Sequence, residues 1–118
     1  MSSISFLRST FHNLDATPVS EFNSCNVTTG ASLGIRTDYR FVLNNNEAGN
    51  VIAKVYIKYP DMSVHEMWGG WNYIDSSMDF GFHIGSKNNN SQIVATEGTY
   101  EIVYNELYDS DGNVLAEG

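Results

Sequence analysis

Apolar and polar side chains alternate with period two along most of this chain, the pattern of half-buried strands. From Leu33 to Leu43 the positions Leu33, Ile35, Tyr39, Phe41 and Leu43 are apolar, while Arg36, Asp38 and Arg40 carry charge. From Val51 to Tyr59 the residues Val51, Ala53, Val55, Ile57 and Tyr59 point one way, with Lys54 and Lys58 on the other face. Met78, Phe80, Phe82 and Ile84 alternate with Asp79, Gly81, His83 and Gly85, and Tyr100, Ile102 and Tyr104 alternate with Glu101, Val103 and Asn105. Each pattern has one wet face, as antiparallel sheets do. Further strands are expected at about 3–12, 62–68, 91–95 and 113–117. No window of eleven or more residues carries a helical period.

Turn clusters separate these segments: Asn44 to Asn50, Pro60-Asp61, Trp68-Gly69-Gly70-Trp71 and Gly85 to Asn90. The run Glu97-Gly98-Thr99-Tyr100-Glu101-Ile102 reads as a chain reversal opening a buried strand. A phenol in that place hydrogen-bonds back to upstream backbone in a tyrosine corner. Asp111-Gly112 supplies residues that tolerate positive φ, as a hairpin turn requires. The fold class is therefore all-β, an antiparallel two-sheet β-sandwich with about seven to nine strands, forming a single domain over 1–118. The least regular stretch, 13–31, reads as a long connection covering one open sheet edge.

Composition narrows the partners. Fourteen acidic residues against six basic ones give a net charge of −8, which opposes binding to nucleic acid phosphates or to an anionic membrane surface. Cys25 is the only cysteine, so no internal disulfide forms. It has neither a helix nor a nearby histidine to lower its pKa, and it reads as a small half-buried residue. The N-terminus lacks an apolar run long enough for a signal peptide or a membrane span. The expectation is a cytoplasmic chain, or one exported without a cleaved signal. If the chain is an excised domain, location is open. Asn26-Val27-Thr28 and Asn89-Asn90-Ser91 match glycosylation sequons, which mean little without an export signal.

The Gly98-Thr99-Tyr100 segment resembles the start of strand F in immunoglobulin-like and fibronectin type III-like domains, with Ile102 where antibody domains carry their second cysteine. Asp109-Ser110-Asp111-Gly112-Asn113-Val114 resembles the F–G hairpin of bacterial immunoglobulin-like modules. On that resemblance 33–43, 51–59, 78–84, 99–107 and 113–117 are strands B, C, E, F and G. The chain departs from antibody domains in having no cysteine pair and no strand C tryptophan. Asn26-Val27-Thr28-Thr29-Gly30 also resembles a loop of chagasin-type cysteine-protease inhibitors. Val27 replaces that loop's proline, and Tyr108-Asp109-Ser110 stands where the family carries an Arg-Pro-aromatic loop. This resemblance implies protease inhibition.

Among candidate sites, Trp68-Gly69-Gly70-Trp71-Asn72-Tyr73 stands first. Glycines cannot cover their neighbours, so two indoles and a phenol can form an exposed platform. Sugar C–H faces and protein surfaces both favour such rings. The ligand-binding set is Trp68, Trp71, Asn72, Tyr73 and Asp75, the last supplying a polar contact beside Asn72. The opposite reading has both indoles capping the core. Asp109, Asp111 and Asn113 have the spacing of a calcium loop without its later glutamate, and a hairpin turn explains them equally. Asp75 and Asp79 form a second weak acidic cluster. His12, His65 and His83 share no metal-ligand spacing. Neither Glu101 with Glu106 nor Asp75 with Asp79 can be placed across a cleft as a glycosidase pair. No nucleophile elbow or phosphate loop occurs, and Gly81 reads as a bulge or a close contact. The expectation is a non-enzymatic, lectin-like module without cofactor or metal that binds a glycan or a protein surface. The competing class is an assembly subunit that forms homo-oligomers through sheet edges.

Overall fold

β-branched and aromatic side chains at alternate positions pack well on a pleated surface, and the computed structural model of the chain is all strand and connection among its described residues. These are residues 3–13, 24–27, 32–44, 47–84, 93–94 and 97–118, with positions 13, 24–27, 32, 93 and 94 described as backbone alone. The strands in chain order are β1 (Ser3–Asn13), β2 (Ser24–Val27), β3 (Ser32–Val42), β4 (Gly49–Lys58), β5 (Val64–Trp68), β6 (Asn72–Ile74), β7 (Met78–Ile84), β8 (Ile93–Val94), β9 (Gly98–Asp109) and β10 (Val114–Glu117).

Two antiparallel sheets result. One has the order β1-β3-β7, with β8 also against β3. The other has the order β10-β9-β4-β5, with β2 against β9 and β6 against β4. The segments expected as B and E (β3 and β7) pair in one sheet, and those expected as C, F and G (β4, β9 and β10) pair in the other. That partition is the immunoglobulin-like one.

The inner faces close over a core that includes Phe11, Ile35, Tyr39, Phe41, Ile57, Phe82 and Ile102, all nearly inaccessible. Each large apolar side chain buried this way contributes about 1.5–3 kcal/mol relative to exposure. Aromatic edges meet faces within it, as in Tyr39 with Phe82 at 5.9 Å and 78°. Tyr100 is buried as expected and packs edge-on to Tyr59 at 5.0 Å. Gly98 holds φ +141°, and a Cβ there would lie 2.6 Å from the Pro60 ring, so the reversal requires glycine.

Three local features differ from the alternation pattern. Tyr104 does not share a face with Tyr100 and Ile102. The pairing of β4 with β9 shifts between Tyr56 and Ile57: Tyr56 faces Tyr104, but Ile57 faces Ile102. The extra residue, Val103, is a β-bulge, and every side chain after it changes face. Asn105 is consequently buried, and its amide donates to Ser9 Oγ at 3.2 Å, while Tyr104 and Tyr108 turn outward.

Trp68-Gly69-Gly70-Trp71 is not a turn between two strands. β5 and β6 lie end to end along one edge of β4, where Lys54 faces Trp68 and Val51 faces Asn72. Two residues of β4 therefore oppose three of the edge strand, and the Gly69 N–H still donates to the Ala53 carbonyl at 2.9 Å. The tetrapeptide is a bulge in one long edge strand. Finally, the irregular stretch contains a strand, β2, which pairs Ser24–Val27 with Glu101–Gly98 on the outer edge of β9. Cys25 and Asn26 lie in it, with their side chains outside the described residues. Thr28, Thr29 and Gly30 of the inhibitor-like loop also fall outside them.

Candidate functional site

Strand alternation, reset by the bulges at Val103 and Gly69–Trp71, fixes what β9, β4 and β5 present outward. Ile52, Lys54 and Tyr56 point out from β4, opposite Tyr108, Glu106 and Tyr104 of β9. Trp68 and Glu66 of β5 stand beside Lys54 and Tyr56. The rings form a connected surface: Trp68 lies 5.3 Å from Tyr108, and Tyr56 lies 5.7 Å from Tyr104. Lys54, only 8% exposed although on the wet face, sits between them. Its ammonium is 4.7 Å from the Tyr56 ring and 4.9 Å from the Trp68 ring, and 3.3 Å from a Glu66 carboxylate oxygen. Hydrogen bonding with Tyr56 first, and Glu66 after it, holds this amine above its ordinary pKa against the opposing effect of burial. The long apolar stem is thus covered while the cation stacks on aromatic faces.

Carboxylates bind the phenols of the same face. Tyr56 donates to Glu106 at 2.6 Å, and Tyr104 donates to Glu117. The bond to Glu117 pushes the Tyr104 phenol up to about 12. At one end of the face a shallow groove of about 160 Å³ is lined by Ile52, Trp68, Trp71, Tyr108, Asp109, Ser110 and Gly112. The hairpin between β9 and β10 forms its far wall.

The expected site residues divide. Trp68 and Trp71 meet in this groove and are 41% and 55% exposed, so neither indole caps the core. Tyr73 is 63% exposed and outward-facing, one row further along the same edge. Asn72 is opposite Val51 and therefore faces inward, and its side-chain amide donates to the Gly70 carbonyl at 3.1 Å, bracing the bulge. Asp75 is exposed but does not line the groove. The polar wall is supplied instead by Asp109 and Ser110. Tyr108, Lys54 and Ile52 were missed because pairing across strands, and the face reversal at Val103, bring them to Trp68. The one sequence signal was the Tyr104-Glu106-Tyr108 alternation, legible only after the bulge is placed.

Turn chemistry engages the calcium candidates. The Asp109 carboxylate accepts from the Asp111 and Asn113 backbone N–H groups, each at 2.9 Å, and from the Asn113 amide at 3.3 Å. Those bonds, led by the Asn113 backbone, hold Asp109 below the usual carboxylate range. Gly112 has φ +83° in the same turn. Among the described residues no three histidine, cysteine or acidic side chains gather as a metal set.

Asp79 accepts two hydrogen bonds from Arg40, at 2.9 and 3.1 Å, and Glu101 pairs with Lys58 at 3.4 Å. His65 lies 4.0 Å from the Tyr59 ring and 2.8 Å from Ser63 Oγ, whose hydroxyl donates to Asp61. His12 and His83, remote in sequence, meet edge to face at 5.3 Å. Burial, then His12 and Arg36, lower the His83 pKa.

These features define a β-sandwich domain with an aromatic groove on one sheet. The sequence matches no protein family and no curated relative. Solved structures are similar in fold. They include Bacteroides uniformis β-glucuronidase 2 covalently bound to cyclophellitol-6-carboxylate aziridine, at TM-score 0.60 and 12% identity. A calcium-binding mutant of that enzyme aligns at TM-score 0.61 and 12% identity, and Bacteroides uniformis β-glucuronidase at 0.60 and 10%. In each case 98% of this chain is covered but only 14% of the other. This chain therefore resembles a small part of those proteins, and the likeness concerns fold.

Proposed function

We propose that this domain is a non-catalytic glycan-binding module of immunoglobulin-like type, and that the groove between Trp68, Trp71 and Tyr108 is its site. The observation carrying this reading is the exposure of two indoles in one groove whose other wall offers a carboxylate and a hydroxyl. Ring faces stack on sugar C–H groups, and Asp109 and Ser110 exchange hydrogen bonds with hydroxyls. Lys54 selects the ligand's charge: a cation already lies against Trp68 and Tyr56, so a second cation on these rings is disfavoured and a neutral sugar is not. The fold also occurs as a small part of β-glucuronidase chains, which suits a module that works beside other domains.

Affinity electrophoresis against cellulose oligomers, xylan and β-1,3-glucan tests the proposal. Retardation by at least one of them is expected, reduced about 30-fold in apparent affinity by Trp68→Ala/Trp71→Ala, the loss typical of an aromatic anchor. A folded double variant with full affinity, or no retardation by any glycan, would exclude the groove. One observation favours a second reading, self-association: Met62, Val64, Trp68, Trp71 and Tyr73, five of the nine exposed large hydrophobics among the described residues, lie on the β5–β6 edge and the turn before it. An apolar edge strand is a template for pairing with another chain.

A further inference from the structure

The outer face of the β1-β3-β7 sheet has a different chemistry. All three arginines of the chain, Arg8, Arg36 and Arg40, lie on it. Cross-strand register places Arg8 beside Asp38, Arg36 between Thr10 and His83, and Arg40 between Ser5 and Asp79. Asp38 is buried, and its two carboxylate oxygens are divided between the neighbouring arginines: Oδ2 lies 3.1 Å from Arg8 Nε, and Oδ1 lies 2.8 Å from Arg36 Nε. Both closest contacts use Nε, and the two arginine side chains remain 65% and 50% exposed. Asp38 thus holds two guanidiniums side by side while their outer ends face water.

Gly81 makes this possible, since a Cβ there would come within 2.4 Å of Arg36 Nε and 2.6 Å of Asp38 Oδ1. Arg36 lies across β7 because that position has no side chain. Among the described residues Asp38 and Asp79 are the only carboxylates on this face, which therefore keeps one positive charge in a chain of net −8. The molecule's two shorter dimensions are 25 and 23 Å, about three Debye lengths at physiological ionic strength. Acidic groups on the opposite sheet are screened at that range, and the arginine face acts on its own local charge.

We infer that this face binds a carboxylate-bearing polysaccharide, with the Arg8–Arg36 pair receiving a carboxylate. Guanidinium forks match planar carboxylates. The hydroxyls of Ser3, Ser5 and Thr10, on the same face by register, suit a polyhydroxylated chain. The rings in the described rows of this face are the His12 and His83 imidazoles, which pack edge to face against each other, and no tryptophan, tyrosine or phenylalanine points outward there to stack a nucleic acid base. Among its described side chains Val42 is the one exposed large hydrophobic, so these rows offer no apolar centre of the kind a protein interface uses. Arg36 and Arg40, four residues apart on β3, place charges about 13 Å apart along the strand, a spacing that suits a charged polymer lying flat.

The test is native affinity electrophoresis in gels containing polygalacturonate at physiological ionic strength, each mobility taken relative to a polymer-free gel of the same composition. The wild-type protein is expected to be retarded. Arg8→Gln/Arg36→Gln/Asp38→Asn, which leaves no buried carboxylate unpaired, is expected to bind about tenfold more weakly. Trp68→Ala/Trp71→Ala is expected to keep full retardation, which separates this face from the aromatic groove. Three results would overturn the inference: unchanged wild-type mobility, equal retardation of the folded arginine variant, or equal retardation by single-stranded DNA.

Discussion

Met62 carries the clearest conformational cost in the molecule. It is the only non-glycine residue with positive φ among those described, at 72°, in the turn joining β4 to β5. Its N–H donates to the Tyr59 carbonyl at 2.9 Å while the Tyr59 N–H reaches the Ser63 carbonyl at 2.8 Å. That geometry asks for glycine or asparagine, and a left-handed residue with a side chain is strained by about 1–3 kcal/mol. The side chain is 68% exposed, so little packing offsets the strain. Met62→Gly is expected to raise stability by up to about 1 kcal/mol, after its larger unfolded-state entropy is subtracted. A urea midpoint that stays the same or falls would contradict this. Pro60-Asp61 marked the turn in the sequence, but nothing there showed that Met62 would occupy its left-handed position.

At the scale of elements, register decides what each face displays. The strands were legible because their apolar residues recur every second position, as in β3 and β7, and because polar or glycine-bearing turns bound them. The bulges were not legible, since one inserted residue leaves local composition unchanged while reversing every later side chain. Val103 turns Tyr104 and Tyr108 toward solvent and Asn105 into the core. The Gly69–Trp71 bulge keeps Trp68 and Trp71 on one edge strand. Gly81 read as a bulge or a close contact, and the structure shows regular pairing there with the contact supplied by Arg36 and Asp38. Gly81→Ala is expected to lower stability by about 1–3 kcal/mol. Because Arg36 is one of the two groups displaced, Arg36→Ala should recover part of that loss in a double-mutant cycle. Additive losses would show that the steric conflict lies elsewhere.

For the molecule as a whole, the two sheets turn unlike surfaces to water. One carries rings, glutamates and a sequestered lysine, and the other carries the arginines. The apolar edge at β5–β6 is the liability of this arrangement. The bulge at Gly69–Trp71 interrupts its ladder, and exposed His65 and Glu66 sit on it, both devices that block edge-to-edge pairing. The domain is therefore expected to sediment as a monomer across concentrations. A concentration-dependent dimer removed by Val64→Lys would instead support the self-association reading.

Alternation of apolar and polar residues was enough to determine the class of fold, because burying one face of each strand leaves few arrangements other than two packed sheets. Glycine and aspartate chemistry was enough to locate the reversal at Gly98 and the hairpin at Asp109–Asn113. Tertiary structure alone decided which side chains come together on each face. Trp68 meets Tyr108, Arg8 meets Arg36, and His12 meets His83 through pairing between strands distant along the chain. Such contacts depend on register and bulges, which local periodicity does not encode.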